Sequence, residues 1–194
     1  MDNIIINLYN KPQTVFSIKE ISQIFPFISF ESLRDRLYYF TKVGKLKHPY
    51  HGIYTKENYN LLELGNKVYT PSYISLETVL SPKGVVFQHY EKIFAVSYVT
   101  RSITIENSEI QYRQIRKDIL TNILGIEEKI GYFVASLERA FLDAIFIYKN
   151  YHFDNLSVIN WEKVNNIKAI YKSKVFEKRV NEYYKQYLKD YGKR

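Results

Sequence analysis

Four groups of residues have the types and spacing to do chemistry. Asp118 and, nine residues on, Glu127-Glu-Lys129 give an acid followed by an acid-x-Lys pattern, reminiscent of metal-dependent nuclease cores. The stretch lacks the pair of flanking apolar strands that such cores use to present their carboxylates. His48-Pro-Tyr-His51 sets two imidazoles close together, but the chain has no cysteine, no third ligand lies nearby, and Pro49 stands between them. There is no Gly-rich phosphate loop, no G-x-S-x-G, no H-E-x-x-H, and no Gly-Ser turn with the paired aspartates of a nucleotidyltransferase. The expectation is a protein that is not an enzyme and holds neither metal nor cofactor.

The third group suits nucleic acid. In "SFESLRDRLYYFTKVGKLKHPYHGIYT", Ser29, Ser32, Arg34, Arg36, Tyr38 and Lys42 precede Lys45, Lys47, His48 and His51. An arginine can contact guanine with two parallel bonds, serine can bond several bases or a phosphate, and tyrosine and lysine suit the backbone. Residues 43–56 contain no acid, as fits an element facing phosphates. A merely solvated helix face followed by an ordinary basic hairpin would look the same. The fourth group, Lys178, Arg179, Lys185 and Lys189, sits in the closing segment, where lysines meeting water are the plainer reading.

These residues need elements to hold them. Ser17 with Glu20 three residues later is a capping box, Ile18, Ile21 and Phe25 follow at helical spacing, and Pro26 stops the helix. Ser29 then caps a second helix whose Phe30, Leu33, Leu37 and Phe40 form one stripe and which ends at Gly44. The face opposite that stripe carries Ser32, Arg34, Asp35, Tyr38, Tyr39 and Lys42, with Arg36 at its flank. "KLKH" and "HGIYT", separated by Pro49 and Tyr50, read as a small hairpin. With a leading helix over residues 3–9 and a short strand over 14–16, the order is that of a winged helix-turn-helix.

Downstream the pattern loosens over residues 59–70, where a domain linker is expected. "SYISLETVLSPKG" reads as a helix with Ser72 as cap, and "FAVSYVT", "SITIEN" and "EIQYRQI" as three antiparallel strands, with "GYFVAS" as a fourth. "SLERAFLDAIFIYKN" is a largely buried helix, residues 161–171 form a weaker one, and Phe176, Val180, Tyr183, Tyr187 and Tyr191 mark a closing amphipathic helix. The expected fold is α+β: a winged helix-turn-helix over residues 1–60, then a mixed α/β domain over 70–194 with a small antiparallel sheet and C-terminal helices.

Composition sets bounds on function. The chain of 194 residues is 46% hydrophobic, enough for one large core or two small ones, and 28 basic against 20 acidic residues leave +8. The excess is uneven: +3 over residues 1–60, zero over 61–135, and +5 over 136–194. Such a surplus favours polyanionic partners, nucleic acid being the commonest. The start "MDNIIINLYN" carries an acid and an apolar run far too short to span a bilayer, so a cytoplasmic protein without membrane attachment is expected. Nineteen tyrosines and twelve phenylalanines beside abundant Ile, Asn and Lys reflect AT-rich codons, so placement rather than abundance of aromatics carries weight.

Three segments then resemble a known family. "YISLETVL" from Tyr73, "QYRQIRKDIL" from Gln111 and "VASLERAFLDAIF" from Val134 are similar, in that order, to characteristic segments of the AbiEi family of antitoxins, transcriptional regulators of bacterial viral-defence systems. The third is the most specific. Against a family run of Ala-Ser-Pro-Glu-Lys-Ala-Leu-Leu-Asp type, Ala135, Ser136, Glu138, Ala140, Leu142 and Asp143 match, Arg139 replaces lysine and Leu137 replaces proline. The likeness runs to about residue 149. It implies Tyr73, Ser75, Glu77, Tyr112, Arg113, Arg116, Ser136, Glu138, Arg139 and Asp143 as motif positions of an antitoxin domain. It also implies a type IV antitoxin that represses its own promoter at inverted repeats in double-stranded DNA, compatibly with a homodimer there. The C-terminal domain would counteract a nucleotidyltransferase-like toxin without requiring a stable complex. The alternative is a winged-helix regulator with a ligand-sensing or dimerising C-terminal domain and no toxin. On physical grounds, acids buried in the apolar helix need partners, and Arg113 or Arg116 is the expected source.

Overall fold

The computed structural model describes residues 3–192; Met1, Asp2, Lys193 and Arg194, which the expected domains include, lie outside the described residues. The chain begins α1 (Asn3–Asn10), β1 (Val15–Ser17), α2 (Ile18–Ile24), α3 (Phe30–Lys42), β2 (Lys47–Tyr50) and β3 (Ile53–Thr55). The capping box forms in full: the Ser17 hydroxyl accepts from the Glu20 N–H, and the Glu20 carboxylate accepts from the Ser17 N–H at 2.8 Å. Ser29 caps α3 by accepting from the Ser32 N–H. Ile4, Leu8, Phe16, Ile21, Leu33, Leu37, Phe40, Leu46 and Tyr54 bury together as the core of the three helices. Phe30, expected in that stripe, is 56% exposed and lies outside the core cluster that takes Leu33, Leu37 and Phe40.

The three short strands form an antiparallel sheet ordered β1-β3-β2. Pro49 lies within β2 rather than in the turn, which is His51–Gly52. As an edge strand interrupted by a register irregularity, β2 tolerates the lost donor.

The expected linker is a helix, α4 (Leu61–Val68). Asn60 caps it by accepting from the Leu62 N–H, and Glu63 in its first turn and Lys67 in its last complement the helix dipole. Its Leu64 is fully buried in a cluster that joins Val15 and Ile53 of the small sheet to Ile74, Ile93, Ile110 and Tyr112.

A second correction concerns residues 72–80. Ser72 to Ile74 form strand β4 (Ser72–Ile74), and only α5 (Glu77–Leu80) is helical. Between them Leu76, buried, takes φ 57° and ψ −137°, a positive-φ conformation that costs a non-glycine residue on the order of 1–3 kcal/mol. The Ser72 hydroxyl caps nothing and donates to the Asn66 carbonyl.

The sheet is larger and more mixed than expected. β4, β5 (Ile93–Ser97), β6 (Arg101–Ile105), β7 (Ser108–Gln114), β8 (Ile126–Lys129) and β9 (Tyr132–Ala135) are ordered β6-β7-β5-β4-β9-β8. β5 runs parallel to β7 and β4 parallel to β9, while the other pairs are antiparallel. Alternation along the central strands divides two cores. Tyr73, Phe94 and Val96 face α7 (Leu137–Tyr148), α8 (Trp161–Lys168) and α9 (Lys174–Tyr191), whereas Ile74, Ile93 and Ala95 face α4. Gly65 brings α4 close to that second face: a Cβ there would lie 3.5 Å from both Ile74 and Ile110. The remaining elements are α6 (Lys117–Leu120) and a 3-10 helix, Ala169–Tyr171. The architecture is α+β, with a mixed sheet and a small antiparallel one. Among the described residues no helix is long and apolar enough to cross a membrane.

Glu63 ties α4 to the small sheet. Its carboxylate is 3% exposed and accepts from the Thr14 N–H at 2.8 Å, the Thr14 hydroxyl at 3.0 Å and the Val15 N–H at 3.0 Å. Removing it strands buried donors, so Glu63→Ala should lower stability by about 2–4 kcal/mol in urea titration. Gly131, at φ 82° with the Glu63 carboxylate 2.6 Å from where a Cβ would sit, should lose more than about 1 kcal/mol as Gly131→Ala in the same measurement.

Candidate functional site

The solvent face of α3 and the β2–β3 hairpin lie side by side. Arg34, Tyr38, His48 and His51 line one cleft of about 400 Å³, with Phe30, Tyr54 and Asp35 completing its walls. His48 stacks on Tyr54, ring centroids 4.6 Å apart and planes within 20°. Partial burial, and then the neighbouring His51, hold the His48 imidazole below its ordinary pKa, so it is neutral at pH 7. Lys42 sits 4.8 Å over the Tyr38 ring and Lys47 5.8 Å over Tyr59, contacts that fix the stems and leave the ammonium groups exposed. Lys45 is exposed as well, and its carbonyl accepts from the Tyr9 hydroxyl at 2.9 Å.

The other expected members lie on the opposite flank of α3. Ser29, Ser32 and Arg36 border a shallow depression with Glu31, Asp35 and Tyr39. Ser29 is occupied as a cap, and Ser32 and Arg36 are half-buried. The structure therefore brings Arg34 and Tyr38 together with the hairpin histidines and sets Ser29, Ser32 and Arg36 apart. Phe30 and Tyr54, aromatic walls of the cleft, were not among the expected site residues. Tyr54 carried a signal, since it alternates with Ile53 and Thr55 across the hairpin from His48.

The motif residues of the second half converge in the core. Arg139 and Asp143 are fully buried and ion-paired one helical turn apart, Nε to Oδ1 at 3.2 Å. The guanidinium also donates to the carbonyls of Ile119, Asn122 and Leu124 and to the Tyr73 hydroxyl. Asp143 accepts from Tyr73, Ser75 and Tyr171, at 3.0, 3.0 and 2.7 Å. Burial and the Asp143 carboxylate push both phenols well above their ordinary pKa, which keeps them protonated and able to donate. Burial opposes the Arg139 charge, but Asp143 and the two tyrosines more than offset it and raise its pKa.

Neither expected basic partner takes this role. Arg113 lies over the Tyr148 ring at 5.6 Å, and Arg116 bonds Asp118 and the Tyr171 carbonyl. The i,i+4 spacing within "RAFLD" put a cation nearer to Asp143 than any strand could. Glu138 accepts from the Asn160 N–H, and Glu77 accepts from the Tyr148 and Tyr151 hydroxyls. Ser136 caps α7, and the Tyr112 hydroxyl donates to the Gly65 carbonyl. Tyr171 was missed, because nothing in its local pattern marks it as Asp143's third partner.

Asp118, Glu127 and Lys129 do not assemble. Asp118 pairs with Arg116, and Glu127 with Lys129 at 2.8 Å along β8, the strand that had not been expected there. Among the described residues no group of three or more His, Cys, Asp or Glu is placed to hold a metal. In α9, Lys178, Lys185 and Lys189 are exposed, whereas Arg179 donates to the Ile145 carbonyl and fastens the helix to α7.

Arg139→Met should cost about 3–5 kcal/mol in urea unfolding, since it leaves Asp143 buried without its cation. Asp143→Asn should cost about as much, since it leaves Arg139 without its counter-charge and turns one of the two acceptor oxygens, which take Tyr171 and Tyr73 separately, into a donor. No protein-family model matches the chain, and no curated protein matches it.

Proposed function

We propose that the N-terminal part is a winged helix-turn-helix that binds double-stranded DNA, with α3 as the reading helix and the β2–β3 hairpin as the wing. The observation that carries this is the cleft in which Arg34 and Tyr38 of α3 meet His48 and His51 of the hairpin. Helix, strand, two helices and hairpin follow in the order such domains use, and Lys42, Lys45 and Lys47, between the body of α3 and the hairpin turn, are exposed. Arg34 is the candidate for bidentate contact with guanine, and the lysines for phosphates.

The chain as a whole we read as an autorepressing antitoxin without catalytic activity, acting in the cytoplasm against a nucleotidyltransferase-like toxin. The AbiEi-like segments support it. Their residues Tyr73, Ser75, Arg139 and Asp143 share one hydrogen-bonded network, as expected if a motif is kept for its structure. Leu137, where the family has proline, is the first residue of α7, a position that accepts either once Ser136 has capped the helix. A second reading, a regulator whose C-terminal part senses a ligand and opposes no toxin, is favoured by an open groove at Arg113 and Arg116.

A gel-shift on the DNA upstream of its own gene, across a salt series, tests the first part; a sequence preference lost at moderate salt would overturn it. Arg34→Ala should cost about 1–3 kcal/mol and relax one base position, while Lys47→Ala should weaken all sequences alike and lower the salt slope by about 1. Affinity should rise as pH falls from 7.5 to about 5.5, because phosphates favour protonated His48, and His48→Gln should flatten that rise. In free protein the sign is reversed: a folded-state pKa below the unfolded one means acidification through that window destabilises. Co-expression with the neighbouring toxin gene tests the second part, and failure of rescue would refute it.

A further inference from the structure

The groove at the end of the large sheet belongs to neither the α3 cleft nor the buried network. It is about 560 Å³, within the range of small-molecule sites, and is lined by Thr100, Arg113, Gln114, Arg116, Phe146 and Tyr148 among others. Thr100 follows β5, and residues 113–116 close β7. The groove therefore lies at the carboxyl ends of the parallel pair β5 and β7.

Its chemistry points to an anion. Two arginines enter the lining and no acid does. Arg116 is partly neutralised by Asp118, but among the described residues Arg113 has no carboxylate partner, and its Nε is buried without a hydrogen bond. The Arg113 side chain bonds the neutral Tyr148 hydroxyl, which satisfies one N–H without supplying a counter-charge. Each guanidinium lies over an aromatic ring, Arg113 over Tyr148 at 5.6 Å and Arg116 over Phe146 at 5.8 Å, which restricts both side chains before any ligand binds. Ile115 and Ile147 add an apolar wall, and Gln114 and Thr100 supply polar groups. Glu77, which bonds the groove residue Tyr148, is occupied by the Tyr148 and Tyr151 hydroxyls.

We propose that this groove binds a nucleotide-sized ligand, its phosphates held by Arg113 and Arg116 and its flat body lying against the apolar wall. The inference rests on the groove alone and stands whether or not α3 binds DNA.

Calorimetric titration of the full chain, without DNA, with ADP, inorganic pyrophosphate and adenosine tests it. ADP should bind most tightly, pyrophosphate more weakly and adenosine least. Arg113→Gln should weaken ADP roughly tenfold or more, and Arg113→Lys should restore part of the loss. Because Arg113 is half-buried and Arg116 bonds Asp118 and the Tyr171 carbonyl, thermal melting of each variant without ligand checks folding, and the more exposed Arg116→Gln gives a second reading. No binding of ADP or pyrophosphate at several millimolar, equal binding of adenosine and ADP, or unchanged affinity in folded Arg113→Gln and Arg116→Gln would each overturn the proposal.

Discussion

A guanidinium with no exposure to water organises the second half of this protein. Arg139 is tolerated there because every direction in which it donates meets an acceptor: Asp143, the Tyr73 hydroxyl and three carbonyls from residues 119–124. Asp143 in turn collects Ser75 and Tyr171, so a single ion pair fixes β4, the α6 loop, α7 and the 3-10 helix relative to one another. Buried ion pairs add little net stability over an apolar core of the same volume, but they reject arrangements that leave a charge unpaired. The pair thus selects one packing of α7 on the sheet, and the helices beyond it follow. Phe176 and Val180 of α9 and Val164 of α8 complete the same core.

On the opposite face the constraint is Glu63. Its carboxylate takes donors from Thr14 and Val15, and Lys67, one turn on, pairs with Glu20 of α2. Lys67 also offsets the burial that would otherwise raise the Glu20 pKa, which lies below its ordinary value. Since Glu20 is itself half of the box that starts α2, the α4 helix reaches into the element that supports α3. The exposed face of α3 and the hairpin beside it are therefore positioned from beneath, through the contacts of α4 with Glu20 and with β1.

The first sixty residues were legible because their signals are local. A capping box, a serine cap, a stripe at helical spacing and a proline stop each act within a turn or two, and the observed α2 and α3 begin and end where those signals lie. Phe30 fits the stripe yet is exposed, since periodicity gives the direction a residue faces and not whether anything covers it. The α4 helix was missed although Asn60, Glu63 and Lys67 are ordinary end signals, because Gly65 and the short apolar runs resembled a loosening of pattern. At residues 72–74 the sequence suits a helix, and strand pairing on both sides, with β5 and β9, decides otherwise.

For the sites the same division holds. From the sequence alone came the candidate reading face, the basic hairpin and the need for a buried partner to the acids of α7, all of which follow from residue type and spacing along one element. Only tertiary structure decided that Arg34 and Tyr38 share a cleft with His48 and His51 while Ser29, Ser32 and Arg36 do not. It alone decided that Asp143 takes Arg139 rather than Arg113, and that Arg113 is left over an aromatic ring in a groove. The physical reason is range: caps and stripes are fixed by interactions over three or four residues, whereas the partner of a buried charge depends on which strands lie side by side, set by burial over the whole chain.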